Sequence, residues 1–180
     1  MQLQGIARKV IPASRLQKLL HYDCETGIWH WKVNHSRKSM AGCVAGNISD
    51  MGYRRIMVDG RLYQAARLAW FYVTGKWPVH EIDHIDGNQS NDRLSNLRTA
   101  TRAENACNQR KYCNNTTGYK GVQKLGTRYR AKIRCGGKQV CLGRFSTLEE
   151  AASAYNDAAL RLHGKFSCLN EMSTSNSVKQ

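Results

Sequence analysis

The chain has 180 residues, of which 28 are Lys or Arg and 13 Asp or Glu, giving a formal net charge of +15 with an apolar fraction of 41%. That much apolar content supports one or two small folded domains, and that much positive charge favours a polyanionic partner through the field of the whole surface. An anionic membrane would be the competing partner, but no run of 18 apolar residues and no basic amphipathic anchor occurs, and no low-complexity lysine repeat suggests a packaging protein.

In chain order, MQLQGIARKV lacks the apolar core of a signal peptide, so the expected compartment is a cytoplasm. Ser14 to His21 has helical composition. YDCETGIWHWK and AGCVAGNISDMGYRRIMVDGRLYQAARL read as short strands separated by Gly turns, with Trp29, Trp31 and Trp70 as core residues. GRLYQAARLAW and EIDH read as strand-like or apolar approaches to a tight Asp86-Gly87-Asn88 turn. Thr101-Arg102-Ala103-Glu104 fits a capping box, with Thr101 as N-cap and Glu104 at the third helical position. Asn105 then falls in the first helical turn, and Asn108, three residues on, shares its face.

Residues 81 to 110 place chemistry close together. Hydrolysis of a phosphodiester needs a base for water and a cation for the leaving alkoxide. The imidazole of His84, with an ordinary pKa near ~6.5, suits the first task. The carboxylate of Asp83 with an amide oxygen from Asn105 or Asn108 suits a hard divalent ion, Mg²⁺ or Mn²⁺, far better than zinc. Neighbouring strand residues point to opposite faces, so Asp83 and His84 can serve one site only if the strand bends where it ends. Asn96, in SNLR, is expected to tie its loop to the backbone through its amide.

Beyond residue 111 the pattern changes. KYCNNTTG is a polar link. Arg128, Arg130, Lys132 and Arg134 then alternate with Tyr129, Ala131, Ile133 and Cys135, which predicts a strand with one basic face. Gly136-Gly137 marks a hairpin turn into KQVCLGRF, and Ser146 or Thr147 starts a helix whose Ala151, Ala152, Ala154, Tyr155, Ala158, Ala159 and Leu162 can lie on the sheet. Four cations on one strand face repel each other, and a phosphate-rich partner relieves the repulsion. The tail from Glu171 to Gln180 is polar and reads as disordered. Seven cysteines, an odd number without a C-x-x-C pair, argue against a disulfide framework or a structural zinc in a reducing compartment.

The run RLAWFYVTGKWPVHEIDHIDGNQSNDRLSNLRTATRAENACNQR resembles the phage and intron-associated H-N-H homing endonucleases, over about residues 20 to 110. The resemblance implies a ββα-metal site that cuts DNA, in which Asp83 and Asn105 bind one divalent ion, His84 is the general base and Asn96 braces the site. Asn105 stands where many relatives have histidine, the asparagine variant of the motif. Many relatives also carry His just before the Arg-Leu of RLAW, where this chain has Ala66. If the gene is phage-borne, the cytoplasm is that of a bacterial host.

Residues 118 to 170 resemble the AP-two or ethylene-response-factor DNA-binding domain, through GYKGV, LGRF, EEAASAYNDAA and the closing LN. In that family the sheet enters the major groove. The matching positions are Lys120, Gln123, Lys132, Arg134, Gln139 and Cys141, with Arg128 and Arg130 toward phosphate, and Arg134 is the best candidate for bidentate pairing with guanine.

The resulting expectation is an α+β chain: a lead-in at 1–50, an H-N-H ββα-metal nuclease core at 51–111, a linker at 112–117, a three-stranded antiparallel sheet packed on one helix at 118–170, and a tail at 171–180. The expected function is metal-dependent cleavage of double-stranded DNA at a preferred site, and no dimer seam is visible. The runner-up is a DNA-binding transcriptional regulator with a vestigial nuclease motif. The complete set of Asp83, His84, Asn96 and Asn105 favours the nuclease, because a regulator has no use for all four.

Overall fold

A computed structural model describes residues 10–34, 40–111 and 114–172. The signal-peptide reading, Cys113 and nearly all of the tail lie outside those residues. The architecture is α+β with small antiparallel sheets, divided into two compact units, Met1–Thr99 and Ala100–Gln180. Among the described residues no helix is long and apolar enough to cross a membrane.

In the first unit, helix α1 (Ala13–Leu19) runs directly into strand β1 (Leu20–Tyr22), which pairs antiparallel with β2 (Trp29–Trp31). Register places Leu20 opposite Trp31 and Tyr22 opposite Trp29. All four face the core because a strand alternates with period two. Trp29 is fully buried, with its ring tilted against Tyr22 at 4.8 Å and edge-on to Tyr72 at 5.4 Å. Such pairs contribute beyond the area they bury. Trp70 packs against this core but remains only partly buried.

Strands β3 (Asn47–Ile48), β4 (Arg54–Val58) and β5 (Arg61–Gln64) form a three-stranded antiparallel sheet in that order, with Ile56 and Val58 pointing inward. The strand-like reading of AARLAW is corrected by the next element. Residues Ala65–Thr74 form helix α2, because Ala65, Leu68 and Ala69 recur at helical spacing and are fully buried, and alanine favours helix. Gly75, in the left-handed region at φ 69°, ends the helix by donating its amide to the Phe71 carbonyl. Strand β6 (Glu81–His84) pairs with β7 (Leu97–Ala100), which is entered through a single 3₁₀ turn at Leu94–Asn96.

The second unit opens with helix α3 (Arg102–Asn108). Its capping box forms as the spacing predicts: Glu104 N donates to Thr101 Oγ1, and Thr101 N donates to Glu104 Oε2. Strands β8 (Val122–Leu125), β9 (Arg128–Cys135) and β10 (Lys138–Phe145) make an antiparallel sheet with β9 central. Helix α4 (Leu148–His163), capped by Thr147 and Glu150, lies on it. Ala151, Ala152, Ala158 and Ala159 are buried with Val122, Ala131 and Ile133, and their small side chains let helix and sheet approach closely.

Gly121 makes that approach possible. A Cβ on it would lie 2.2 Å from the Tyr155 ring and 2.6 Å from the Lys132 carbonyl, and its φ of 74° strains any L-residue. Gly121→Ala is expected to destabilise this unit by roughly 1–3 kcal/mol for overpacking plus ~1–2 kcal/mol for the left-handed backbone. Denaturant unfolding measures the loss, and an unchanged midpoint would contradict this account of the packing.

Candidate functional site

Strand β6 delivers Asp83 and His84 to the protein interior, with side chains only 5% and 4% exposed. Each has its own partner. Arg98, on β7, reaches Asp83 Oδ2 through Nε at 2.8 Å and Nη2 at 2.7 Å. His84 Nε2 lies 2.9 Å from Oδ1 of Asp92, whose side chain is 2% exposed. Sequence reasoning passed over both partners. A carboxylate in NDRL and an arginine in NLRT look like ordinary loop and strand charges until pairing of β6 with β7 and closure of the loop bring them in.

The loop from residue 86 to residue 96 is built on amides. Asp86 N donates to Asn96 Oδ1 at 3.0 Å, while Asn96 Nδ2 donates to Asp86 Oδ1 at 3.0 Å and to the Asn91 carbonyl at 2.8 Å. Asn91 Nδ2 and the Asn88 amide also donate to the Asp86 carboxylate. Burial opposes the charge on Asp86, but these hydrogen bonds outweigh it and hold its carboxyl below the usual carboxylate range. Asn96 thus spans the neck of the loop, and Ile85 N donates to its carbonyl to close the strand pair.

The loop is also clamped by the lead-in hairpin. Tyr22 donates its hydroxyl to the Asp92 carbonyl at 2.6 Å, and Leu94 N donates to the Cys24 carbonyl at 3.1 Å. Burial, reinforced by the charge of Asp92, raises the Tyr22 phenol above its ordinary pKa and keeps it a donor. At Gly27, φ 74°, a Cβ would fall 2.4 Å from Arg93 N and 2.5 Å from the Asp92 carbonyl carbon, so only glycine lets the hairpin turn rest on this loop. The Tyr53 ring sits 6.0 Å from the His84 ring.

Asn105 lies in α3, where its amide continues the helix from the Thr101 carbonyl, and Asn108 is buried near the helix end. Their side chains offer hard amide oxygens. Among the described residues no three His, Cys, Asp or Glu side chains group as a metal cluster, and a cation held by one carboxylate and amides would not require such a group.

In the second unit the register collects the cations on one sheet face. Arg130 stands opposite Gln123 on β8, and Lys132 and Arg134 stand opposite Cys141 and Gln139 on β10. Arg128 is exposed at the end of the same row, beside Leu125. Arg130 Nη2 donates to Gln123 Oε1 at 2.8 Å, and Arg134 Nε reaches the Gly137 carbonyl at 3.3 Å. A bulge between Cys141 and Gly143 turns Leu142 into the core and sets Arg144 directly opposite Arg130, on the basic face. Strict alternation along KQVCLGRF misses Arg144, because one extra residue inverts the parity.

Lys120 has a different setting from the rest of the predicted DNA-binding set. Its ammonium donates to the Cys107 carbonyl at 2.7 Å and to the Gln109 carbonyl, at the C-terminal end of α3. Burial lowers its pKa. The positive charge there satisfies carbonyls the helix leaves open and complements its dipole. Lys120→Met is expected to cost up to ~2 kcal/mol of stability while leaving DNA affinity nearly unchanged. Paired thermal melts and binding titrations measure both quantities, and a large affinity loss at unchanged stability would return Lys120 to the interface.

A family model described as HNH endonuclease matches residues 63–107, the segment that carries α2, β6, the amide loop and α3. The chain is 37% identical over 112 residues to Protein 3.8 of Escherichia phage T7, covering 59% of this chain and 92% of that protein. It is 36% identical over 102 residues to the uncharacterized HNH endonuclease L560 of Acanthamoeba polyphaga mimivirus, covering 56% of this chain and about half, 52%, of that protein. The HNH homing endonuclease I-HmuI, solved in a study of DNA binding and cleavage, aligns with a TM-score of 0.39 and 20% identity over 81% of this chain and 85% of its own, a likeness too slight to place residues. Residues 63–107 carry an HNH endonuclease domain.

Proposed function

We propose that the protein is a metal-dependent endonuclease that hydrolyses phosphodiester bonds in double-stranded DNA at a preferred site. The observation that carries this reading is His84, buried at the end of β6 beside Asp83 and held by a carboxylate, within the segment that matches the HNH endonuclease model. His84 acts as general base toward water. Asp83 and Asn105 supply the hard oxygens for one divalent ion, Mg²⁺ or Mn²⁺, which when bound would stabilise charge on the leaving oxygen. Asn96 braces the loop that follows the base.

Duplex DNA is held by the basic face of the C-terminal sheet, through Gln123, Arg128, Arg130, Lys132, Arg134, Gln139 and Arg144. The sequence likeness of residues 118 to 170 to the AP-two fold supports this assignment. So does the pairing of Arg130 with Arg144, since like charges directly opposite on a sheet repel unless an anion lies between them. The test is incubation of purified protein with supercoiled plasmid, with and without Mg²⁺. Relaxed or linear product only with the metal is expected, and a fully intact plasmid under both conditions would refute the reading.

The sheet face yields a separate expectation. In a binding-site selection run in chelator, so that binding proceeds without cleavage, Arg134→Ala should lose ~1–3 kcal/mol at the preferred sequence and much less elsewhere. Arg128→Ala and Arg130→Ala should weaken all sequences about equally and reduce the salt dependence, as phosphate contacts do. If Arg134→Ala kept the same preferred sequence with uniformly lower affinity, its base-reading role would be wrong.

A further inference from the structure

We infer that Asp92 is a positioning residue for the general base: its carboxylate, fixed by the lead-in hairpin, holds the His84 ring in one plane and one tautomer. The inference rests on the assignment of His84 made above.

The contact is Nε2 to Oδ1 at 2.9 Å between two side chains almost wholly withdrawn from water. A hydrogen bond there is electrostatically stronger than one at the surface. A carboxylate can only accept, so it fixes the ring proton on Nε2 and places the basic lone pair on Nδ1. The two ring nitrogens are thereby assigned different tasks, which a freely rotating imidazole does not have.

The backbone around Asp92 is held from three directions. Asn91, just before it, has its carbonyl bound by Asn96 and its side-chain amide on Asp86. The Asp92 carbonyl itself takes the Tyr22 hydroxyl, and Leu94, two residues on, bonds to Cys24. Gly27 packs its α-carbon against the Asp92–Arg93 peptide with no room for a side chain. A buried carboxylate that served only to neutralise a histidine would not need its backbone pinned by a separate hairpin. The geometry also gives that hairpin a part in the chemistry: it fixes the acceptor that orients the base.

The experiment measures single-turnover cleavage of supercoiled plasmid in Mg²⁺ by the full chain and by Asp92→Ala, Asp92→Asn, His84→Ala and the double variant His84→Ala/Asp92→Ala, with DNA affinity and thermal midpoint for each. Asp92→Ala should cut about 10–100-fold more slowly, as loss of such orienting partners generally does, at unchanged DNA affinity. Asp92→Asn fills the same volume, yet it can turn an N–H toward Nε2 and impose the wrong tautomer, so it should be no faster than Asp92→Ala. In the His84→Ala background, removing Asp92 should change the rate by less than about twofold, because residues acting as one unit are not additive.

If Asp92→Asn folded normally and cut at the wild-type rate while His84→Ala did not, the positioning role would be overturned and the base assignment would stand. Equal fractional losses from Asp92→Ala with and without His84 would also overturn it, since Asp92 would then act independently. Wild-type cleavage by His84→Ala would instead remove the base assignment itself. Should Asp92→Ala fail to fold, the isosteric Asp92→Asn carries the decision alone.

Discussion

His84→Ala is expected to slow plasmid cleavage by ~10²–10⁴-fold, the usual contribution of a positioned general base, while DNA affinity stays near that of the wild type. Binding should survive because the basic face is carried by β8, β9 and β10, far along the chain from His84. The structure adds a second expectation. Removing the imidazole leaves the Asp92 carboxylate buried without its partner, and an abandoned buried acceptor costs ~1–3 kcal/mol, more if charged. His84→Ala should therefore lower the thermal midpoint, and His84→Ala/Asp92→Ala should recover part of the loss, since deleting both members of a buried pair costs less than deleting one. Cleavage assays belong below the midpoint of every variant. A His84→Ala protein that cut at the wild-type rate would end the general-base assignment, and one with an unchanged midpoint would contradict the buried-pair energetics.

Much of the second unit was legible because its determinants are local. The capping box at Thr101 is closed by a residue three positions on, and the period-two run from Arg128 to Cys135 is a property of one strand. Gly136 and Gly137 turn the chain with φ of 57° and 76°, as a glycine pair between two strands suggests. What escaped was set by contacts between distant segments. Asp92 is significant only because a loop closes over His84 and a hairpin 70 residues away donates the Tyr22 hydroxyl to its carbonyl. Arg144 joins the basic face because a bulge inverts the alternation, and a bulge is decided by how Leu142 packs rather than by strand propensity. Lys120 takes the end of α3 because folding brings the Cys107 and Gln109 carbonyls within its reach. The strand-like reading of AARLAW failed for a related reason: its alanines pack at helical spacing only against a core supplied by α1 and the Trp29 hairpin.

The metal expectation carries the other large effect. Asp83→Ala or Asn105→Ala should lose at least about 100-fold in Mg²⁺, because charge stabilisation by a divalent ion is worth several kcal/mol and each ~1.4 kcal/mol is tenfold in rate. Asp83→Ala alone would be ambiguous, since it also takes the carboxylate away from Arg98, whose guanidinium lies 2.7 Å from it and is itself largely buried. Asp83→Asn resolves this. Its amide oxygen can still accept from Arg98, preserving the fold, but it brings no negative charge to a cation and should remain strongly impaired. Mn²⁺, which binds such oxygen sites more tightly, should restore part of the activity of Asn105→Ala, which keeps the carboxylate, and less of Asp83→Ala, which does not. The measurement is initial cleavage rate against metal concentration for each variant, with thermal midpoints as the control for folding. Full cleavage by chelator-treated enzyme without added metal would exclude the metal-dependent mechanism, and wild-type metal affinity in Asp83→Asn would remove Asp83 from the ligand set.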